Sequence, residues 1–191
     1  KINGIGSDCI EVEGVSELKG AQHKVISDRI EAGTFAVAAA ITGGKVFLEG
    51  ANPDIMQSVI TALIAAGAKV EITKKGFWVI GDKQINSFDI TTEAFPGFPT
   101  DAQAQLMALV TTAVGTSMLT ENIFENRFMH VPELQRMGAD IAIEGPSAII
   151  QGKPTLSGAP VMASDLRASA ALLLSGLAAS GETWIQRIYH L

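Results

Sequence analysis

A mixed α/β fold, with sheets facing outward around packed inner helices, is the architecture this sequence predicts. Three observations carry that expectation. A strand-turn-strand pattern occurs three times, an apolar small-residue stretch occurs three times between those patterns, and two of the stretches have no polar face.

The hairpin copies are KINGIGSDCIEVEG from Lys1, KVEITKKGFWVIG from Lys69 and DIAIEGPSAIIQG from Asp140. Each is a short alternating run, a polar or glycine turn, and a second apolar run ending at Gly14, Gly81 or Gly152. Alternation on both sides of a turn is the mark of a β-hairpin. Gly67 and Gly138 stand just before the second and third copies, where the end of a helix favours a left-handed residue.

The apolar stretches open at Ser27-Asp28, Thr100-Asp101 and Ser164-Asp165. Each runs 16 positions from its aspartate to a small residue, from 28 to 44, 101 to 117 and 165 to 181. Ser or Thr followed by Asp reads as a helix start, with the hydroxyl capping free amides and the carboxylate meeting the positive end of the dipole. Thr100-Asp101-Ala102-Gln103 also has capping-box spacing. AQLMALVTTAV and ASAALLLSGLAAS are apolar almost all the way round, which predicts burial on every side. IMQSVITALIAAG and VPELQRMG mix in polar residues and read as helices with one face toward solvent. Extended runs KVFLEG, MLTENIF and ETWIQRI follow the buried helices.

The unit is therefore strand, buried helix, strand, second helix, hairpin. Residues 1–17 read as the closing hairpin of a preceding domain, and residues 18–191 as a main domain. That domain holds two full repeats, 18–81 and 82–152, and a truncated third, 153–191. The start at Lys1 and the end at Tyr189-His190-Leu191 read as cuts in a longer protein.

Twenty acidic residues against fourteen basic ones give a formal net charge of −6, without the clustered positive stripe that nucleic acid requires. The longest mostly apolar stretch, Ala168 to Ala179, is interrupted by Ser169, Ser175 and Gly176 and is too short to span a bilayer. Cys9 is the single cysteine, so no intrachain disulfide forms and a reducing cytosol is the expected compartment. Its neighbours offer no activating base, and it reads as a structural or edge thiol. His23, His130 and His190 lack metal-ligand spacing. Neither a P-loop, a dinucleotide fingerprint nor a nucleophile elbow is present. Gly43-Gly44 reads as a connection, and Trp78 and Trp184 as packing residues of strands.

Asp28, Asp101 and Asp165 are each explained by helix capping alone, yet their equivalent positions place them at comparable ends of inner helices. Arg29 and Arg167 lie within two residues of such an aspartate, and Arg127 follows a strand. Arginines there form ordinary ion pairs or grip phosphate and carboxylate in two-point fashion.

Longer motifs go further. SDRIEAGTFAVAAAITGG, FPGFPTDAQAQLMAL, IFENRFMHVPELQRMGADI and SDLRASAALLLSGLAASGETWIQRIYHL resemble the UDP-N-acetylglucosamine 1-carboxyvinyltransferase family, the enolpyruvyl transferases that begin peptidoglycan synthesis. The resemblance runs in order over essentially the whole chain. It implies an inside-out α/β barrel built from βαβαββ repeats, here truncated, that needs no cofactor. Its substrates would be UDP-N-acetylglucosamine and phosphoenolpyruvate, with the rest of the same protein as partner and neither nucleic acid nor membrane involved.

Residue by residue, the resemblance implies that Asp101 binds the sugar nucleotide and acts as base toward its 3-hydroxyl. It implies that Ile123 contacts the UDP-sugar through its backbone, and that Arg127 and Arg167 line the phosphate and carboxylate side of the pocket. Asp165 would lie near the reacting enolpyruvyl carbon. The family's lysine-asparagine pair, its cysteine-bearing glycine-rich loop and its Asp-Arg-Gly segment have no counterpart here, and Cys9 does not match that cysteine. The fragment alone is therefore expected to be inactive. The alternatives are the shikimate-pathway enolpyruvyl transferase, whose motifs differ from FENRFMHVPEL, and a non-catalytic substrate-binding fragment. RNA 3'-terminal phosphate cyclase, built on related repeats, fits poorly with the acidic balance.

Overall fold

The computed structural model describes residues Lys1–Tyr189. His190 and the final residues of the expected third repeat lie outside this range. The first expected hairpin forms as a two-residue ladder, β1 (Ile2–Asn3) against β2 (Glu11–Val12), with Ile2 opposite Val12. Residues 1–28 are exposed throughout, and the strand expected ahead of the first inner helix does not form. Val25 and Ile26 find no neighbouring strand and stay open to solvent.

The first unit continues through α1 (Arg29–Thr42), β3 (Lys45–Glu49), α2 (Gln57–Ala65), β4 (Lys69–Thr73) and β5 (Gly76–Ile80). The second is complete: β6 (Ile90–Thr91), α3 (Gln103–Val110), β7 (Thr116–Thr120), α4 (Val131–Arg136), β8 (Asp140–Glu144) and β9 (Ser147–Gln151). The third runs through β10 (Leu156–Ser157), β11 (Pro160–Met162), α5 (Leu166–Ala178), β12 (Ala179–Ser180) and β13 (Trp184–Gln186).

The units repeat in pairing as well as order. Strands lie β3-β5-β4 in one sheet and β6-β7-β9-β8 in the next, so the second hairpin arm is central both times. Lys45 faces Ile80 and Thr116 faces Gln151 at the same corner of each sheet. β6 runs parallel to β7, and β11 parallel to β13, each pair bridged by an inner helix. Gly81 donates to the Gly44 carbonyl at 2.8 Å, and Gly152 to that of Gly115 at 3.0 Å. These contacts stitch each closing hairpin to the turn after its inner helix.

α1, α3 and α5 pack against one another, with the sheets outside them. Small buried residues suit this packing: Ala36, Ala39 and Ala40 on α1, with Ala168 and Ala171 on α5, let the backbones approach closely. Every residue of α3 is buried, as its composition predicts. α5 departs from the expectation. Leu173 and Leu177 are exposed, because no described element covers the face opposite its contacts with α1 and α3.

Capping also differs from the sequence reading. The aspartate, rather than the preceding hydroxyl, is the cap: Asp28 accepts from the amides of Ile30 and Glu31, and Asp165 from those of Arg167 and Ala168. Ser27 instead donates to the Gly50 carbonyl. At the second start a single 3-10 turn, Thr100–Ala102, precedes α3, and neither Thr100 nor Asp101 caps it. The capping box is not made, and Gln103 is fully buried with its amide unpartnered.

Candidate active site

Asp101 is free of capping duty, and its carboxylate gathers cations instead. Arg127 Nη2 reaches Asp101 Oδ1 at 3.2 Å, and Arg167 Nε reaches the same oxygen at 3.1 Å. Both arginine side chains are largely covered, while Asp101 is about two-fifths exposed. Exposed pairs of this kind contribute at most about 1 kcal/mol each, so their significance is geometric. One N–H of each guanidinium is spent on Asp101, leaving both with capacity for two-point binding of carboxylate or phosphate. Asp101 Oδ2 takes no part in either pair.

Each group arrives from a different repeat feature. Asp101 sits at the start of α3, Arg167 in the first turn of α5, and Arg127 in the loop between β7 and α4. Together with Asp165, His130, Phe124 and Leu166 they line one cleft of about 520 Å³. Four of the five residues to which the resemblance gave a site role therefore converge. Ile123 does not share that cleft. It is half-exposed and lines an adjoining hollow of about 640 Å³ with Asn122, Ile143, Gly145 and Pro146. Residues 124–127 and Met129 form the wall common to both. Arg29 stands apart, its guanidinium 5.4 Å from the centre of the Phe95 ring.

Two residues, one at the cleft and one at the adjoining hollow, carry more than their sequence signals announced. His130 is 2% exposed and lines the cleft beside Asp165 and Arg127, with Nε2 unpartnered. Burial pulls its pKa down to about 4, and the Arg127 charge pulls the same way against the opposing pull of Asp165. It is a neutral imidazole at ordinary pH. The lack of metal spacing was the sequence's only comment on it, and no periodicity marks it. Glu121 is the other. Alternation along β7 buries Ser117 and Leu119, and the same parity turns Glu121 inward. A carboxylate on the buried face was the available clue. It also ends the strand, since the amides of Ile123 and Phe124 turn back onto it, so MLTENIF is extended only through Thr120.

Other sequence readings are settled more simply. Cys9 is exposed and outside any strand. Trp78 packs against Phe47 with ring centres 4.9 Å apart. Trp184 does not pack as expected: it is 66% exposed, and its indole N–H reaches Glu182. Among the described residues no cluster of His, Cys, Asp and Glu is arranged to hold a metal, and no helix is long and apolar enough to cross a membrane.

Comparison with known proteins decides the family. The family model described as EPSP synthase (3-phosphoshikimate 1-carboxyvinyltransferase) matches residues 1–191. The chain belongs to this family. Within it, similarity is high to proteins named UDP-N-acetylglucosamine 1-carboxyvinyltransferase. That of Paramagnetospirillum magneticum is 58% identical over 192 residues, covering 100% of this chain and 44% of the relative. That of Beijerinckia indica is 55% identical with the same coverage. The chain thus spans less than half the length of the curated relatives it matches. Among solved structures, the enolpyruvyl transferase NikO from Streptomyces tendae superposes with a TM-score of 0.78 at 26% identity, over 87% of this chain and 40% of that one. EPSP synthase from Acinetobacter baumannii gives 0.66 at 19% identity, over 85% of this chain and 39% of that one, a likeness of fold alone. The mixed α/β architecture expected from the repeats is observed, and the likeness to these structures agrees with the truncated enolpyruvyl transferase fold that the resemblance implied.

Proposed function

We propose that the protein containing this chain transfers the enolpyruvyl group of phosphoenolpyruvate to the 3-hydroxyl of UDP-N-acetylglucosamine, with release of phosphate. The observation that carries this reading is the meeting of Asp101 and Arg167, at the starts of inner helices, with Arg127 from the loop after β7, and with Asp165 on the same cleft. Relatives at 54–58% identity bear the corresponding name, which favours the sugar nucleotide over shikimate 3-phosphate.

Addition of a hydroxyl across the enolpyruvyl double bond needs a base at the hydroxyl and an acid at the methylene carbon. Asp101 supplies the base through Oδ2, the oxygen outside its ion pairs. Asp165, fixed at the start of α5, lies near the reacting carbon. The tetrahedral intermediate then gives up a proton from the new methyl group as it expels phosphate, which restores the double bond, and fixed guanidinium donors stabilise the charge that develops without reorganising water. The Ile123 N–H is held by Glu121, so its carbonyl is the backbone group a sugar nucleotide would meet. The remainder of the same protein, in a cytoplasmic setting, completes the pocket, and this chain alone is inactive.

Phosphate release on mixing protein with UDP-N-acetylglucosamine and phosphoenolpyruvate tests this. The full-length protein is expected to turn over and to lose roughly 100-fold or more in rate on Asp101→Ala. Residues 1–191 alone should give none. Turnover with shikimate 3-phosphate in place of the sugar nucleotide would reverse the substrate assignment.

A further inference from the structure

Glu121 is 5% exposed, and among the described residues it has no lysine or arginine partner in an ion pair. A lone carboxylate in such a place is costly unless its oxygens are fully hydrogen-bonded. Four donors meet that need. Oε1 accepts from the Thr92 hydroxyl at 2.7 Å, the Ile123 amide at 2.9 Å and the Phe124 amide at 3.0 Å. Oε2 accepts from the Thr100 hydroxyl at 2.9 Å. The Thr92 hydroxyl in turn accepts from the Asn122 amide at 2.9 Å.

These donors belong to three separate segments: the end of β6, the turn that opens α3, and the loop after β7. Two of those segments carry the site. Thr100 precedes Asp101, and Phe124 holds the Arg127 guanidinium 4.8 Å above its ring. Arg127 reaches Asp101. Contacts therefore close a ring from Glu121 through Phe124, Arg127, Asp101 and Thr100 back to Glu121.

We propose that Glu121 is a positioning residue for the enolpyruvyl transfer: its two oxygens separately fix the loop carrying Ile123 and Arg127 and the turn carrying Asp101. The inference rests on the function proposed above. Oε1 serves the loop, and hence sugar-nucleotide binding. Oε2 serves Asp101, and hence the chemical step.

The test uses the full-length protein with Glu121→Ala, Glu121→Gln and Thr100→Val, measuring KM for UDP-N-acetylglucosamine, kcat, thermal midpoint and amide exchange at Ile123 and Phe124. Glu121→Ala is expected to raise KM about tenfold or more and to speed exchange at both amides. Glu121→Gln should recover most of that loss, because its carbonyl oxygen keeps the three Oε1 bonds and its amide donates to Thr100. Thr100→Val should lower kcat with little change in KM. A role confined to stability would lower the thermal midpoint and the active fraction while leaving KM and the KM–kcat split untouched, and that result overturns the proposal. Unchanged amide exchange in Glu121→Ala overturns it too. Wild-type protein without transferase activity would refute the function instead, and the exchange measurement would still decide the positioning. If Glu121→Ala fails to fold, the split between Glu121→Gln and Thr100→Val carries the decision.

Discussion

His130 enters the folded protein uncharged, and that fixes how acid acts on it. Its pKa falls from 6.5 in the exposed chain to about 4 when buried, so between those values the unfolded chain binds more protons. Stability is then complete above pH 6.5 and declines as pH falls toward 4, by on the order of 3 kcal/mol from this residue. Urea unfolding at pH 7 and pH 4.5 measures the loss, and His130→Gln is expected to shrink the difference between the two. The same residue shows where a sequence stops being legible. Asp101 and Arg167 could be singled out because charge at a repeated helix start is visible in the chain itself, and Arg127 because it follows an extended run in the motif IFENRFMH. That Asp101 is not a cap, and that both arginines fall on one of its oxygens, depends on the 3-10 turn at Thr100–Ala102 and on contacts spanning 26 and 66 residues. Burial of His130 is likewise a property of the assembled fold.

The elements were legible wherever local periodicity decides them. Hairpins β4-β5 and β8-β9 lie where alternation placed them, and α1 through α5 follow the expected stretches. Errors fall where tertiary contact decides: no strand forms between β2 and α1, and α5 leaves one apolar face open. The terminal glycines of the hairpins were visible as a pattern but not as a cause. A Cβ on Gly152 would lie 1.7 Å from the Ala113 carbonyl oxygen, and one on Gly81 would lie 2.3 Å from that of Ala39. Backbone, not a movable side chain, blocks both. Gly152→Ala is therefore expected to cost about 1–3 kcal/mol or more in urea unfolding. Gly14→Ala, at the end of the first hairpin with nothing within 4 Å, should change stability by less than about 0.5 kcal/mol.

Across the whole molecule, protection is layered from the centre outward. α3 is buried along its entire length between α1 and α5, the sheets form the next layer, and residues 1–28 lie on the surface. Amide hydrogen exchange should follow that order, slowest in α3 and fastest before Asp28. Slow exchange in residues 1–28 of the isolated chain would contradict the arrangement. The outward sheets also make two topologically matched hairpins unequal. The β4-β5 bend at Lys74-Lys75 lines neither the arginine cleft nor the hollow, whereas Gly145 and Pro146 at the β8-β9 bend border the hollow beside Ile123. Pro146 also accepts the backbone N–H of Glu121. A peptide tag spliced into the first bend is expected to spare sugar-nucleotide affinity, while the same tag in the second should abolish it. Surface immobilisation or dye labelling therefore has a safe handle at one bend and a sensitive reporter at its twin.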